Sequence, residues 1–502
     1  MKVVSSKQMV DLEAQAYRDG VSSEVEFMEE AGSGVALVVH EFVERHQLNH
    51  HVILLCGSGN NGGDAYVAGI HLIHLDYEVL AFQLFPNRTP SSLCEKNRSR
   101  FIQEGGRVFE ISSVEQIAFP VNGIIIDGIF GTGFHGEIDE VSALIMSFAN
   151  RSRLPIISVD IPSGLNGETG ESVEETIQAS ETAFLGLPKT GFFLRDGWDK
   201  VGKLRYVDYG LPQEYIDASE SDLTMLTPQL VQPWIPPLKR SRHKYEAGYV
   251  VGLAGSVEMP GAALLSSEAA LRSGAGIVRL LFPHEMRQEL IASPYEMLRT
   301  GYDPLVPEEV IEVMQKANAV FIGPGMGRSD RTRALIKAVL KKIDKPLVLD
   351  ADALFFLAEE KMDLPQQCIL TPHHGEMQRL LGNHPLMPLT SESLKKCQAY
   401  AEEKGVTLVL KGGPTFIFQP NEPVYVNPTG DPGMATAGTG DVLTGIIAAL
   451  LAQGIPAHQA AALGVYLHGL AGEHAAANET PWCMTAYDLL TFLPDAFAFR
   501  VF

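Results

Sequence analysis

Short apolar runs that stop at glycine or aspartate, alternating with stretches of helical periodicity, constrain this chain more than any other feature. In the first half such runs lie at 52–56, 79–82, 123–127, 155–160 and, more weakly, 182–185, with helical patterns before and between them. In the second half they recur at 249–253, 277–282, 319–322, 346–349, 368–370 and 407–411. Apolar runs that alternate with helices predict α/β architecture with parallel sheets. Between the two series the periodicity fails: Pro228, Pro233, Pro236 and Pro237 are followed by the basic cluster Lys239-Arg240-Ser241-Arg242. This break is read as a linker over 223–240, between a domain at 1–222 and another at 241–502. The basic cluster is read as a solvated connector, with a phosphate contact as the alternative.

The formal net charge of -22 excludes whole classes of partner. An acidic surface repels nucleic acid and anionic membrane, so neither is expected to bind. Nucleotides are repelled at long range too, so a phosphate site must be built locally from backbone amides and a few cations. Five widely spaced cysteines without a CxxC read as reduced thiols of a cytoplasmic protein. The N-terminal residues have no apolar h-region and turn acidic, against a secretory signal. Residues 442–472 contain no Asp, Glu, Lys or Arg. That run is cut by Gly454-Ile455-Pro456, so two buried helices near 441–453 and 457–476 are expected rather than a membrane span. Metabolic α/β enzymes often associate, and a homo-oligomer is expected.

Three strand ends of the first half carry polar groups. Gly57-Ser58-Gly59-Asn60-Asn61-Gly62-Gly63-Asp64 follows a strand and opens a helix, where amides and the helix dipole favour phosphate. Its GxGxxG spacing suggests a dinucleotide fingerprint, but the next strand ends Phe82-Gln83-Leu84-Phe85, without the acid that holds a ribose. That disfavours a plain dehydrogenase. Asp127, in Asp127-Gly128-Ile129-Phe130-Gly131-Thr132-Gly133, and Asp160 with Ser163, in Asp160-Ile161-Pro162-Ser163-Gly164, lie at two further strand ends. With Asn61 they offer oxygens to one crevice, suited to a cation or to acid–base work.

The second half holds the strongest motif. Gly438-Thr439-Gly440 precedes an apolar helix and forms an anion hole for a transferring phosphoryl group, with Asp441 in the first turn as a base for a substrate hydroxyl. Lys411-Gly412-Gly413-Pro414-Thr415 can cradle nucleotide phosphates. Gly323-Pro324-Gly325 and Asp350-Ala351-Asp352 end further strands. In Thr371-Pro372-His373-His374-Gly375-Glu376, the absence of a third ligand at helical spacing disfavours zinc. Glu376 is read as orienting magnesium through water, and His373 as a substrate contact.

The first-half motifs resemble the epimerase domain of the NAD(P)H-hydrate repair family over about residues 1–220. The motifs GPGMG, DADAL, TPHHGE, KGGPT and GTGDVLTG resemble that family's dehydratase domain from about 240 to 502. The resemblance implies a Rossmann-like three-layer α/β/α domain followed by a ribokinase-like α/β/α domain. It implies that Asn60, Asn61, Gly62, Gly63 and Asp64, with Gly131, Thr132 and Gly133 on a segment reaching Glu137, hold the hydrated dinucleotide (NADHX or NADPHX). Asp160 is implied to touch that substrate. Potassium is implied at Asn61, Asp127 and Ser163, with Asp127 the acid–base for epimerisation. In the second domain Asp441 is implied as base, and Ala262, Gly325 and His373 as substrate contacts. Residues 411–415 with Gly438, Thr439 and Gly440 are implied to bind the nucleotide, which is ADP or ATP with Mg2+, ADP being favoured in fused chains. Ala65 and Ala437 stand where the family has glycine, and Asp431 stands where it has asparagine. Ala437 would tighten the loop if its position needs positive φ.

Two rival readings remain at this stage. One is a ribokinase-like sugar or vitamin kinase with an N-terminal nucleotide-binding regulatory domain. The other keeps the N-terminal half as a nucleotide-binding module without catalysis.

Overall fold

The alternation of strand and helix resolves into two units, Lys2–Leu223 and Thr224–Phe502, in a computed structural model that describes residues 1–85, 88–117, 122–291 and 293–499. The N-terminal unit is built on strands β1 (His51–Cys56), β2 (Glu78–Leu84), β3 (Arg107–Ile111), β4 (Ile124–Gly128), β5 (Ile156–Val159), β6 (Glu181–Leu185) and β7 (Lys203–Val207). They lie in the order β3-β2-β1-β4-β5-β6-β7, every pair parallel. This is the doubly wound arrangement, whose crevice opens where the order reverses, between β1 and β4. Alternate residues of a strand face opposite ways. Val52 and Leu54 therefore join a core with Val39, Phe42 and Tyr66. Ile53 and Leu55 join another with Ile145 and Met146. Burial on both faces is why this strand reads as an uninterrupted apolar run.

The C-terminal unit carries β8 (Tyr249–Leu253), β9 (Ile277–Pro283), β10 (Leu298–Tyr302), β11 (Ala319–Ile322), β12 (Leu347–Leu349), β13 (Cys368–Leu370), β14 (Thr407–Leu410), β15 (Thr415–Phe418) and β16 (Val424–Asn427). Their order is β16-β15-β14-β13-β12-β11-β8-β9-β10. All pairs are parallel except β14 with β15 and β15 with β16. The parallel strands all deliver their carboxyl ends, and the glycine and carboxylate motifs that follow them, to one edge.

The charge-free run becomes two helices, Thr439–Ala452 and Ala457–Glu479. In the first, every residue from Val442 to Ala452 is buried, as expected of a helix that is apolar all round. Both pack on the face that presents Val250, Phe321, Val348 and Val409. Among the described residues no helix is long and apolar enough to cross a membrane. The stretch 223–240, expected as linker, contains the strand Leu223–Met225 and the helix Pro228–Val231. Leu226 and Val231 are fully buried in the C-terminal core. Only beyond them, at 237–241, does the chain run exposed without helix or strand.

Phe321 lies directly across from Gly252 of the neighbouring strand. A Cβ on that glycine would come within 2.1 Å of the ring. The pair fills one layer of the core with a single large side chain. Phe321→Ala should therefore open a cavity and cost about 3–5 kcal/mol, read as a lowered urea midpoint for this unit. An unchanged midpoint would mean that the layer collapses to fill the space.

Candidate active site

The helix that the 57–64 motif opens begins within the motif itself, at Asn60. Asn61, Gly62, Gly63 and Asp64 are thus buried helical residues rather than an open loop. The glycines are needed for close packing: a Cβ on Gly57 would sit 1.9 Å from the Ile129 carbonyl oxygen, and one on Gly62 would sit 2.3 Å from that of Gly57. The loop after β1 thereby locks against the loop after β4. Gly59 and Gly133 face open space instead, and both line a cavity of about 760 Å³ at the switch point.

Asn60, Asn61, Asp64, Gly131, Thr132 and Asp160 line the same cavity, as do Glu13 and Tyr17 from the first helix. Asp127 does not. Expected to project into the crevice, it is fully buried, held by four donors. Its Oδ2 accepts from the Ser163 amide at 2.9 Å and the Ser158 hydroxyl at 2.9 Å. Its Oδ1 accepts from the Ser163 hydroxyl at 2.5 Å and the Ile129 amide at 3.3 Å. Burial raises its pKa against the pull of those donors. Ser163, also fully buried, accepts from the Phe130 amide at 2.9 Å, and Asn61 Nδ2 donates to the Phe130 carbonyl at 3.0 Å.

The carboxylates that face the cavity are others. Asp160, held in the left-handed region at φ 63, accepts from the Leu185 amide at 3.0 Å and pairs with Lys189, whose side chain is wholly inaccessible. Burial, then the charges of Asp160 and Glu13, push Asp64 well above the ordinary carboxylate range. Burial also raises Glu13, against a hydrogen bond from the Tyr209 hydroxyl at 2.8 Å.

In the C-terminal unit the strand ends are tied together by charge. Lys411, just past β14, donates to Asp350 Oδ1 at 2.7 Å. Thr444, one turn into the helix Thr439–Ala452, donates to Asp350 Oδ2 at 2.7 Å. Burial alone would lower the Lys411 ammonium, but Asp350 and then Glu376 outweigh it and leave it raised. A Cβ on Gly440 would lie 3.2 Å from Lys411 Nζ, so the cation sits under the start of the helix. Burial, then the Asp350 carboxylate, push the neighbouring Asp441 up to about 7, with Lys411 opposing. Gly438 caps this helix in the left-handed region at φ 95. Ala437 lies outside that region, so its Cβ brings no strain. His468, lowered by burial to about 4, is neutral and gives its Nε2 proton to the Thr439 carbonyl at 2.8 Å.

Gly325 and Ala262 meet, a Cβ on the glycine falling 3.0 Å from that of the alanine. His373 and Glu376 form a capping box: the His373 amide donates to Glu376 at 2.9 Å, and His373 Nδ1 accepts from Gly375 at 3.0 Å. Glu376 is thus occupied in starting its helix. The loop 411–415 is closed by the Thr415 hydroxyl on the Gly412 carbonyl at 2.9 Å. Asp431 accepts from the Gly433 amide at 2.8 Å, a task its oxygen performs as asparagine would.

Residues 250–495 match the family model described as NAD(P)H-hydrate dehydratase, and residues 24–191 match that of the YjeF-related protein N-terminus. The bifunctional NAD(P)H-hydrate repair enzyme Nnr of Moorella thermoacetica is 36% identical over 519 residues, spanning 98% of this chain and 96% of its own. This chain belongs to the bifunctional NAD(P)H-hydrate repair family. The Escherichia coli member is 31% identical over 88% of this chain and 84% of its own. Among solved structures, a ribokinase-like superfamily protein from Enterococcus faecalis matches with a TM-score of 0.51 at 29% identity, over 56% of this chain and 96% of that one.

Sequence reasoning leaves several groups of this family member's sites unassigned: Glu13, Lys189, Asp350, Thr444 and His468. Only Asp350 carries a motif signal, as a carboxylate at a strand end. Lys189 and His468 stand out solely as polar residues in apolar surroundings, and Glu13 is one of many acids on an amphipathic helix. The Asp350 pairing generates a test. Lys411→Met would strand a buried carboxylate and should cost about 3–5 kcal/mol, and adding Asp350→Asn should recover part of it. A single variant as stable to urea as the parent would show that the pair is not buried in solution.

Proposed function

We propose that the chain repairs NADH and NADPH whose nicotinamide ring has taken up water. The N-terminal unit interconverts the R and S hydrates. The C-terminal unit dehydrates the S form, consuming ADP and releasing AMP and phosphate. The observation that carries this reading is Asp441: a carboxyl in the first turn of a helix, beside a glycine anion loop and raised to about 7. A base matched to neutral pH is what proton removal from an attacking hydroxyl requires. Asp441 takes that proton as the oxygen bonds to phosphorus, and the amides of Gly438, Thr439 and Gly440 receive the developing charge. The carbon–oxygen bond then breaks as phosphate leaves, assisted by the ring nitrogen lone pair, and loss of a proton from the adjacent ring carbon to water re-forms the double bond. Residues 411–415 hold the nucleotide, while Ala262, Gly325 and His373 face the hydrated ring. Lys411, bound to Asp350, acts as fixed positive charge beneath the loop.

Among the described residues no group of three or more His, Cys, Asp or Glu could hold a metal ion, and Glu376 is engaged at its helix cap. Magnesium therefore fits as a companion of the nucleotide phosphates, met by the chain through water. Its contribution when bound is to neutralise phosphate charge. The cluster of Asp127 Oδ1, Ser163 Oγ and the Phe130 carbonyl, with the Asn61 amide reversed, is an all-oxygen set that suits potassium. In that role Asp127 is a ligand and a lock for two loops. The acid–base work of epimerisation passes to groups facing the cavity: Asp160 touches the substrate, and Asp64, which keeps its proton to higher pH, supplies it to the departing hydroxyl. Water leaves with assistance from the ring nitrogen lone pair, and readdition on the other face returns the proton.

Absorbance at 340 nm on mixed hydrates with ADP, magnesium and potassium should show full recovery of the reduced nucleotide. Asp441→Asn should lower dehydration by ~10²–10⁴ and leave epimerisation intact. Asp160→Asn, or replacing potassium by lithium, should halt recovery at the S fraction. Accumulation of a stable phosphorylated product would point instead to the small-molecule kinase. With free Asp441 raised to about 7, kcat/KM for the S hydrate should fall as pH drops below about 7 and the base takes up its proton. A flat profile from about pH 5.5 to about 8 would remove Asp441 from that role.

A further inference from the structure

The end of β2 is where a doubly wound domain reads the ribose 2′ position, by an acid for a free hydroxyl or an arginine for a 2′-phosphate. At that end the sequence from Phe82 to Arg88 includes no acid. Gln83, the polar side chain nearest to it, is buried and fully used. Its Nε2 donates to the carbonyls of Cys56 at 3.2 Å, Gly57 at 3.1 Å and Leu84 at 2.8 Å, and its Oε1 accepts from Tyr66 at 2.8 Å. Its amide hydrogens are committed and burial withdraws the rest of the side chain from a ligand.

Arg88 occupies the place instead. Its amide donates to the Phe85 carbonyl at 2.9 Å. Its guanidinium lies over the Phe85 ring, 4.3 Å from the centroid, an arrangement that orients the planar fork while leaving its edge in solvent. The side chain is 59% exposed, and its carboxylate neighbour, Asp139, is 4.0 Å away. Asp139 is already committed as a helix cap, accepting from the Ser142 amide at 3.1 Å and hydroxyl at 2.8 Å. Among the described residues lining the cavity, Arg88 is the only arginine or lysine, set in a wall otherwise rich in carboxylates. A lone cation in an acid-lined site on a strongly acidic protein marks the point where an anionic group of the ligand is received.

We propose that Arg88 is a specificity residue of the N-terminal site, binding the 2′-phosphate of the dinucleotide and favouring hydrated NADPH over hydrated NADH. This rests on the epimerase reading above. The test compares the full chain with Arg88→Ala and Arg88→Lys in two assays. In the first, kcat/KM is measured for recovery of each R hydrate, with S-hydrate dehydration as an internal control. Arg88→Ala should lower the rate on the NADPH hydrate about tenfold and leave the NADH hydrate and the S-hydrate control unchanged, with Arg88→Lys between. Equal losses on both hydrates, or none on either, would overturn the assignment. The second assay needs no turnover: calorimetry with adenosine 2′,5′-bisphosphate and with 5′-AMP. Preference for the bisphosphate should vanish in Arg88→Ala. A parent chain that binds the bisphosphate preferentially but epimerises neither hydrate would sink the epimerase reading while leaving the phosphate site standing. A parent without that preference would sink the phosphate site alone.

Discussion

The C-terminal site depends on one buried ion pair, Lys411 with Asp350. It joins the ends of β14 and β12, and through Thr444 it reaches the helix that carries Asp441. A buried pair of this kind adds little net stability over an apolar replacement. What it supplies is position and charge. The three elements could slide against one another if only apolar contacts joined them. The pair fixes them by short, directional bonds, and it leaves a cation beneath Gly440. Asp441 then titrates in a field with one cation and several carboxylates, and its raised proton affinity follows from that imbalance together with burial.

The N-terminal unit divides the same labour between two other carboxylates. Asp127 is bonded to Ser158 in the adjacent strand and to Ser163 beyond it, which ties the loops after β4 and β5 together. Asp160 remains at the cavity wall with Lys189 behind it. In this unit the strand-end aspartate with four hydrogen bonds is the one withdrawn from solvent, and the one with two is left at the cavity wall. Polar satisfaction is therefore a guide to function here, because a carboxylate with every lone pair occupied has no capacity left for a substrate.

The central strands are legible in the sequence because they are buried on both faces, and Tyr249–Leu253, Ala319–Ile322 and Cys368–Leu370 fall at their expected bounds. Strands at or near the sheet edges are not: Arg107–Ile111, Lys203–Val207 and Leu298–Tyr302 mix charged and apolar residues, and nothing in their periodicity separates them from loop. The start of the helix at Asn60 is hidden for a different reason. Two glycines in its first turn read as loop, yet tertiary packing of Gly62 against Gly57, and of Gly63 against Met28 and Cys94, demands them inside a helix. The site residues divide along the same line. Motifs name the loops that converge, but whether a given aspartate faces ligand or core depends on its hydrogen-bond partners. Three of the four donors to Asp127 lie 31 to 36 residues away, and those to Asp350 lie 61 and 94 residues away.

In the proposed function, a chain of net charge -22 that receives an anionic dinucleotide in a carboxylate-lined cavity faces a Coulomb problem, and burial supplies part of the answer. A carboxyl pushed up in pKa carries less negative charge at a given pH than an exposed one. Asp64 and Glu13, raised chiefly by burial, therefore repel a pyrophosphate less than their number suggests. Lys189 offsets Asp160 directly. The desolvation that makes these groups poor anions also lets them keep a proton to higher pH, so in the proposed function one physical cause serves both ligand binding and acid catalysis.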